Sequence, residues 1–149
     1  TTNCSNNYGP YHFPEKLIPL AVTNIIEGKK IPIYGNGLNV RDWLHVDDHC
    51  RGIELVTEKG RSGEIYNIGG GTELSNLQLT KKILSKLGKD ESYIQYVEDR
   101  LGHDFRYSVD ISKIENELGF SPKVNWETGI DLTINWYLEN QSWWRKLKK

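Results

Sequence analysis

The sequence predicts an α/β fold, because short apolar runs with strand-like alternation take turns along the chain with longer stretches whose apolar residues recur at helical spacing. Glycines and capping residues mark most of the switches between the two. Residues 3 to 13, with the pair Gly9-Pro10, read as a loop. Pro14 and Pro19 stand near the start of a first helix, Pro19 in its first turn, with Leu20, Ala21, Ile25 and Ile26 apolar and Gly28 as the stop. IPIYG at 31–35 is a short strand closed by Gly35-Asn36-Gly37, and VRDWLHV at 40–46 alternates as a half-buried strand. Asp47 or Asp48 is placed to cap a helix running to about Lys59, with Cys50, Ile53 and Val56 on its inner side. EIYNIGG at 64–70 is a strand. Ser75 and Gln78 have capping-box spacing ahead of a helix in which Leu79, Ile83, Leu84 and Leu87 share a face, ended by Gly88. YIQYV at 93–97 is another strand, Ser112 and Glu115 repeat the capping-box spacing before Ile114 and Leu118, and a last helix carries Ile130, Ile134, Tyr137 and Leu138.

At 149 residues the chain is about one domain long. Its 19 basic and 20 acidic side chains leave no global basic field to draw nucleic acid or an anionic membrane, so any anion site has to be local. No apolar run approaches the ~20 residues of a membrane helix, and TTNCSNNYGP has neither the charged nor the apolar part of a secretion signal. The two cysteines, Cys4 and Cys50, are too few and too far apart for a disulfide scaffold. A cytoplasmic protein is expected. The chain contains no Met, and Thr1 opens directly into motif residues, so it is expected to be a piece of something longer.

The most specific run is NNYGPYHFPEKLIP at 6–19, in which two turn-setting prolines flank a stretch ending in Lys16, a side chain able to face an anion. Arg41 in VRDWLHV and Arg100 in DRLGHD are suited to phosphate, because a guanidinium offers two parallel charge-assisted hydrogen bonds. The competing reading pairs Arg41 with Asp42 or Asp48, and Arg100 with Asp99 or Asp104.

Together with IPIYGNGLNVRDWLHVDDH, EIYNIGGG and DRLGHDFRYSVD, that run closely resembles the dTDP-glucose 4,6-dehydratases, members of the extended short-chain dehydrogenase/reductase family. The resemblance covers nearly the whole chain but only the second half of such an enzyme. It implies that residues 1–149 form the C-terminal, nucleotide-sugar-binding portion of an NAD-binding Rossmann-type fold, with the N-terminal NAD-binding portion absent from this chain. It implies further that Arg41 and Arg100 contact the diphosphate, with His103 beside Arg100 and Asn6 near the phosphates. Lys16, Leu17, Pro32 and Tyr34 would surround the nucleotide, Asn76 would lie close to it, and Asn3, Cys4 and Ser5 would be cofactor-binding, near the nicotinamide. In the complete enzyme NAD would oxidise C4 of a dTDP-sugar, water would leave across C5 and C6, and the hydride would return at C6. The full enzyme would be a homodimer whose dimerisation helices lie in the other half. One position departs from the pattern: where the dehydratase motif usually reads DRPGHD, this chain has Leu101, which frees the backbone between Arg100 and Gly102.

Several other chemistries fit the residues less well. Gly69-Gly70-Gly71 and Gly35-x-Gly37 do not continue into a dinucleotide fingerprint. No tyrosine has Lys four residues later, so the Tyr-x-x-x-Lys pair of short-chain dehydrogenases is missing, and no catalytic residue is expected within the chain. His45, Asp47, Asp48, His49 and Cys50 include zinc-type donors, but a strand end and a helix start need not bring the two rings together, so no metal is expected. The C-terminal WWRKLKK combines aromatic and basic residues that can bind nucleic acid or a membrane surface, against which stands a solvated tail with one docked Trp. A nucleotide-sugar epimerase or decarboxylase of the same extended family, and a non-catalytic sugar-nucleotide binding module, are the alternatives in function.

Overall fold

The computed structural model describes residues 1–148; Lys149, the last residue of the basic C-terminal run, lies outside them. Strands β1 (Thr2–Cys4) and β2 (Asn6–Tyr8) precede helix α1 (Leu17–Ile26), followed by β3 (Ile31–Tyr34), β4 (Val40–His45) and α2 (Val46–Lys59). Next come β5 (Tyr66–Ile68), β6 (Glu73–Ser75), α3 (Asn76–Lys86), a single 3-10 turn at Glu91–Tyr93, β7 (Ile94–Val97) and β8 (Arg106–Tyr107). Three helices close the chain: α4 (Ser112–Leu118), α5 (Trp126–Glu139) and α6 (Gln141–Trp144).

The strands form three small sheets. β1 pairs in parallel with β5, Asn3 opposite Asn67, and β3 pairs in parallel with β7, Ile33 opposite Tyr96. β4 is the hub of the third. Its first half pairs antiparallel with β6, Arg41 opposite Leu74, and parallel with β8, Arg41 opposite Tyr107, while its second half pairs in parallel with β2, Trp43 opposite Asn6. Parallel pairing requires a crossover between partners, and α1 and α2 supply those crossovers.

Helix α1 is apolar almost all round, and a helix of that composition belongs inside. Ile18, Ala21 and Val22 are fully buried in a core completed by Ile31 and Ile33 of β3, Leu79 and Ile83 of α3, Ile130 and Tyr137 of α5, and Trp144. A second, smaller core beneath α2 and α4 gathers Leu44, Tyr66, Ile68, Ile114 and Phe120. The C-terminal segment docks onto the first. Trp144 is fully buried and its Nε1 donates to the Tyr137 carbonyl at 2.8 Å. Lys148 reaches α1, donating to Thr23 Oγ1, Asn24 Oδ1 and Glu27 Oε2 at 2.7 to 3.0 Å.

Several local expectations are corrected. The segment 3–13 contains two strands, because β5 and β4 offer it parallel partners that no local signal reveals. Helix α2 is capped by His45, whose Nδ1 accepts from the Asp47 N–H at 3.3 Å, and not by Asp47 or Asp48. Its inner line runs through Asp48, Gly52, Leu55 and Val56, so Cys50 and Ile53 are exposed. Asp48 earns that position through its bonds: the buried carboxylate accepts from the N–H groups of Lys123 and Val124 and from Arg51. At α4 the capping box does not form. Ser112 lies inside the helix, and Asp110 Oδ1 takes its N–H and hydroxyl instead. Leu138 on α5 is 40% exposed. The box at Ser75 and Gln78 is present with both reciprocal bonds.

Of the three glycines after β5, Gly69 and Gly70 serve close approach, whereas Gly71 has open space around it and a φ of 68°. A Cβ on Gly70 would sit 1.9 Å from the Trp43 carbonyl oxygen. This contact lets the N–H groups of Gly70 and Thr72 both reach the buried Asp42 carboxylate, at 3.1 and 3.0 Å.

Candidate functional site

One cavity of about 730 Å³ opens where β4, the N-terminal end of α1 and the β3–β7 pair meet. β2 supplies Asn6 and Asn7 to its wall, and the connection into α1 supplies His12, Glu15 and Lys16. Leu17 and Leu20 come from α1, Pro32 and Tyr34 from β3, and Asn76 from the first position of α3. Arg41 and Trp43 share one face of β4 because strand side chains alternate. Arg100 and His103 reach the cavity from the turn after β7.

All nine residues expected around the nucleotide therefore line a single cavity. Sequence reasoning left out Asn7, His12, Glu15, Leu20 and Trp43. The signals were present: Asn7, His12 and Glu15 lie within the run at 6–19, and Trp43 follows Arg41 at the two-residue strand period.

Both arginines are held by neutral groups. Arg41 donates to the carbonyls of Val40 and Asp104 at 2.7 and 2.8 Å. The competing reading, a pairing with Asp42 or Asp48, does not hold because those carboxylates are occupied by backbone N–H groups and, for Asp48, by Arg51. Arg100 stacks over the Tyr34 ring, 4.9 Å from its centroid, and donates to His103 Nε2 at 2.9 Å. The competing ion pair of its guanidinium with Asp99 or Asp104 is absent as well. Asp99 uses its carboxylate on the Arg100 N–H and on His103 Nδ1, both at 2.8 Å. Since a guanidinium only donates, His103 Nε2 accepts from it and the ring proton resides on Nδ1, facing Asp99. The His103 bond first, and the Arg100 N–H second, hold the Asp99 carboxyl below the usual carboxylate range. Arg100 is thus anchored at three points although Leu101 is fully exposed. Among the described residues, neither arginine has a carboxylate as ion-pair partner, which leaves two positive charges on the wall of one cavity.

The rest of the wall is polar without net charge, or apolar. Burial, and secondarily Lys16, lower the pKa of His12. Lys16 and Glu15 face each other at 3.5 Å on the exposed rim. Leu17, Leu20, Pro32 and Tyr34 supply the apolar part of the wall.

Asn3, Cys4 and Ser5 do not line this cavity. Asn3 bonds Asn67 across the β1–β5 pair at 3.3 Å, and the Cys4 carbonyl accepts from the Tyr107 hydroxyl at 3.0 Å. Ser5, at the carboxyl end of β1, is buried with its Oγ unpartnered. Of the zinc-type donors, His45 is buried as the cap of α2 and Cys50 is exposed. Among the described residues no group of three or more His, Cys, Asp or Glu is gathered for a metal, and no helix is long and apolar enough to cross a membrane. A second cavity of about 250 Å³ lies by α2 and Phe120, where Arg51 is already paired with Asp48 at 2.6 Å.

Comparison with known proteins gives consistent results. The family described as GDP-mannose 4,6 dehydratase matches residues 1–133. The chain is 56% identical over 147 residues to a dTDP-glucose 4,6-dehydratase of Streptomyces niveus, covering 99% of this chain and 44% of that protein. It is 53% identical to the dTDP-glucose 4,6-dehydratase of Escherichia coli, covering 98% and 43%. Among solved structures, the dTDP-glucose 4,6-dehydratase DesIV of Streptomyces venezuelae, with NAD bound, superposes with a TM-score of 0.97 at 58% identity over 99% of this chain and 46% of that one. A UDP-glucose 4-epimerase of Thermotoga maritima, with UDP-glucose, gives 0.88 at 31% identity over 94% and 46%. The chain spans less than half the length of these relatives.

Proposed function

The chain belongs to the GDP-mannose 4,6-dehydratase family, and from that membership we propose that it is the nucleotide-sugar-binding, C-terminal portion of a dTDP-glucose 4,6-dehydratase. The observation that carries this reading is the pair Arg41 and Arg100, two guanidiniums without acidic partners on the wall of one cavity. A diphosphate supplies the missing negative charge, and each guanidinium meets it with charge-assisted hydrogen bonds. Tyr34, Pro32 and Leu17 offer the apolar wall that a base requires, with Asn76 as a polar partner at its edge. Asn6 and Lys16 complete the anion side.

The α/β architecture is that of the second half of an extended short-chain dehydrogenase/reductase. In the complete enzyme the other half carries the dinucleotide fingerprint and the Tyr/Lys pair, and associates with this one along β1. A parallel pair of two strands is short of the cover that parallel sheets take on both faces. The unpartnered Ser5 Oγ at the carboxyl end of β1 fits a cofactor there, because ligands of parallel α/β folds gather at that end of the strands. Asn3, Cys4 and Ser5 would form that wall. NAD, when bound, supplies the hydride acceptor for C4 and the donor for C6. What this chain's own residues do is hold the diphosphate, stack the base and keep the sugar in reach. The complete enzyme is a homodimer in this reading, assembled through its other half.

Calorimetric titration of the chain with dTDP, at low and high salt, tests the grip. Weak binding that falls as salt rises is expected, with thymidine weaker still, because exposed charges are screened within a Debye length of ~10 Å at 0.1 M salt. Thymidine binding as well as dTDP, with no effect of salt, would replace the phosphate roles by base recognition. The chain alone is expected neither to retain NAD nor to dehydrate dTDP-glucose. Formation of the 4-keto-6-deoxy sugar by the pure chain would overturn that assignment of labour.

A further inference from the structure

Between β2 and α1 the chain is held in a shape that local preference opposes. Gly9, with φ of 139°, lies so close to α2 that a Cβ there would sit 2.7 Å from the Val46 side chain. Two residues on, Tyr11 has φ of 61°, the single non-glycine residue in the left-handed region among those described. Its side chain is 68% exposed and belongs to neither buried cluster, so core packing does not account for the strain. A bulky residue keeps such a backbone only where its surroundings enforce it.

The enforcement comes from the far end of the chain. The Tyr11 ring packs against Trp136 of α5 and Trp143 of α6, with centroids 4.7 and 5.4 Å away, and those two indoles pack on each other at 5.1 Å. Aromatic pairs at such spacing contribute beyond the area they bury. The next carbonyl, that of His12, accepts a hydrogen bond from the Tyr137 hydroxyl, which comes from the buried side of α5. Beyond it the Lys16 N–H returns to the Phe13 carbonyl at 3.0 Å, and the Lys16 carbonyl accepts from the Leu20 N–H at 2.8 Å as α1 begins. A ring clamp, a carbonyl anchor and a closed turn thus follow one another over six residues.

What this segment delivers to the cavity wall is His12, Glu15, Lys16 and Leu17. Arg41 and Arg100 have braces of their own, backbone carbonyls for the first and Tyr34 with His103 for the second. Lys16 has no such brace: among the described residues its ammonium meets only Glu15, at 3.5 Å on the exposed rim. Where that charge stands therefore depends on where its backbone is held. We propose that Tyr11 is a positioning residue for diphosphate binding, through which α5 and α6 hold residues 12–17 so that Lys16 stands on the anion side of the cavity. Tyr137 shares that role through the His12 carbonyl. The proposal rests on the nucleotide-sugar reading above.

The test is a double-mutant cycle in the full-length protein that carries this segment, read as dTDP affinity by calorimetry. Tyr11→Ala lowers affinity roughly three- to tenfold, the range an aromatic pair contributes. Tyr11→Phe, which keeps the ring and loses a hydroxyl with no hydrogen-bond partner among the described residues, retains wild-type affinity. Because Tyr11 acts through the segment that carries Lys16, Tyr11→Ala with Lys16→Ala loses less than the product of the two single losses. Tyr11→Ala with Arg100→Ala loses the full product, since Arg100 is braced from the other side of the cavity. A merely structural role would multiply with both partners alike, and that result overturns the inference. So does wild-type affinity in folded Tyr11→Ala or in Lys16→Ala, or a Tyr11→Phe variant as weak as Tyr11→Ala. If Tyr11→Ala does not fold, Tyr137→Phe, which removes only the carbonyl anchor, enters the same cycle and decides by the same outcomes. Wild-type protein that does not bind dTDP overturns the nucleotide-sugar reading and this inference with it, whereas binding by wild type with any of the other adverse results sinks the inference alone.

Discussion

Arg100 lies over the ring of Tyr34 at 4.9 Å while it donates to a histidine whose far nitrogen is fixed by a carboxylate. Stacking sets the plane of the guanidinium and the hydrogen bond sets its rotation, so the remaining N–H groups are oriented before any ligand arrives. Preorganisation of this kind lowers the ordering cost of binding.

Replacing either cavity arginine should therefore be costly. Arg41→Ala and Arg100→Ala, each in the full-length protein, are expected to weaken dTDP binding by roughly 1.5–3 kcal/mol, the range for a hydrogen bond to a charged group. Calorimetry on both variants, with circular dichroism as the check of folding, measures this. Two folded variants with wild-type affinity would return both arginines to a structural role.

Asp99→Ala should weaken dTDP binding without removing any ligand contact, because His103 loses the partner that selects its tautomer and Arg100 loses the acceptor of its N–H. The wild-type carboxyl titrates below its ordinary 3.8, so its stabilising contribution is complete above that value and disappears as pH falls through the lower folded one. Thermal melts between about pH 5 and about pH 2 should show the variant losing less stability on acidification than the wild type. Parallel acid profiles would mean that Asp99 contributes nothing through its charge.

Alkali should act through two buried phenols. Burial raises the pKa of Tyr8, with the Asp48 and Glu127 charges adding to it, and burial likewise raises that of Tyr137. A raised folded value means that the stabilisation is intact below the ordinary 10.0 and is lost as pH climbs towards the folded values. Phenolate absorbance should rise in two stages, the later one coinciding with loss of the far-ultraviolet helix signal. A single stage for all eight tyrosines, with the fold intact, would contradict the burial of these two.

Gly70→Ala is expected to destabilise by about 2–4 kcal/mol, since the added methyl meets a backbone oxygen that cannot swing away and the N–H bonds to Asp42 are disturbed with it. Gly63→Ala, with open space around its Cβ but φ of 84°, isolates the cost of the left-handed backbone alone. Denaturant midpoints of the two variants should separate clearly. Similar midpoints would remove the packing account of the glycine run.

The isolated chain should self-associate, because Ile53 and Ile65 are 41% and 55% exposed and β1 and β5 form a parallel pair with no further strand among those described. Light scattering at rising concentration measures it. A clean monomer that binds no apolar dye would show that this surface needs no cover.

How much of this the sequence carried depended on the range of the interaction. The capping box at Ser75 and the apolar face of α3 are local and were readable, as were the strand cores of β3 and β4. What failed was decided at a distance. Asp48 looked like a cap and became a buried anchor because the N–H groups of Lys123 and Val124, some 75 residues later, point at it. That one anchor turns α2 and moves Cys50 and Ile53 outward. β1 and β2 are too short to announce themselves without β5 and β4 beside them. In the site, the nine residues found on the cavity wall came from extended motifs, whereas Trp43 and His12 are ordinary in isolation and become part of a wall only when β4 and α5 are in place.

The reach of Lys148 back to Thr23, Asn24 and Glu27 bears on how the protein is made. More than 120 residues separate these partners, and Trp144 completes a core that α1 began. During synthesis the apolar α1 waits for these neighbours while the more than 120 residues between them are made, an interval of seconds at ~5–20 residues per second. Over that interval a sticky helix lies open to other nascent chains. Deleting the final few residues should therefore reduce yield of soluble protein in the cell more than it reduces the melting temperature of the molecules that do fold.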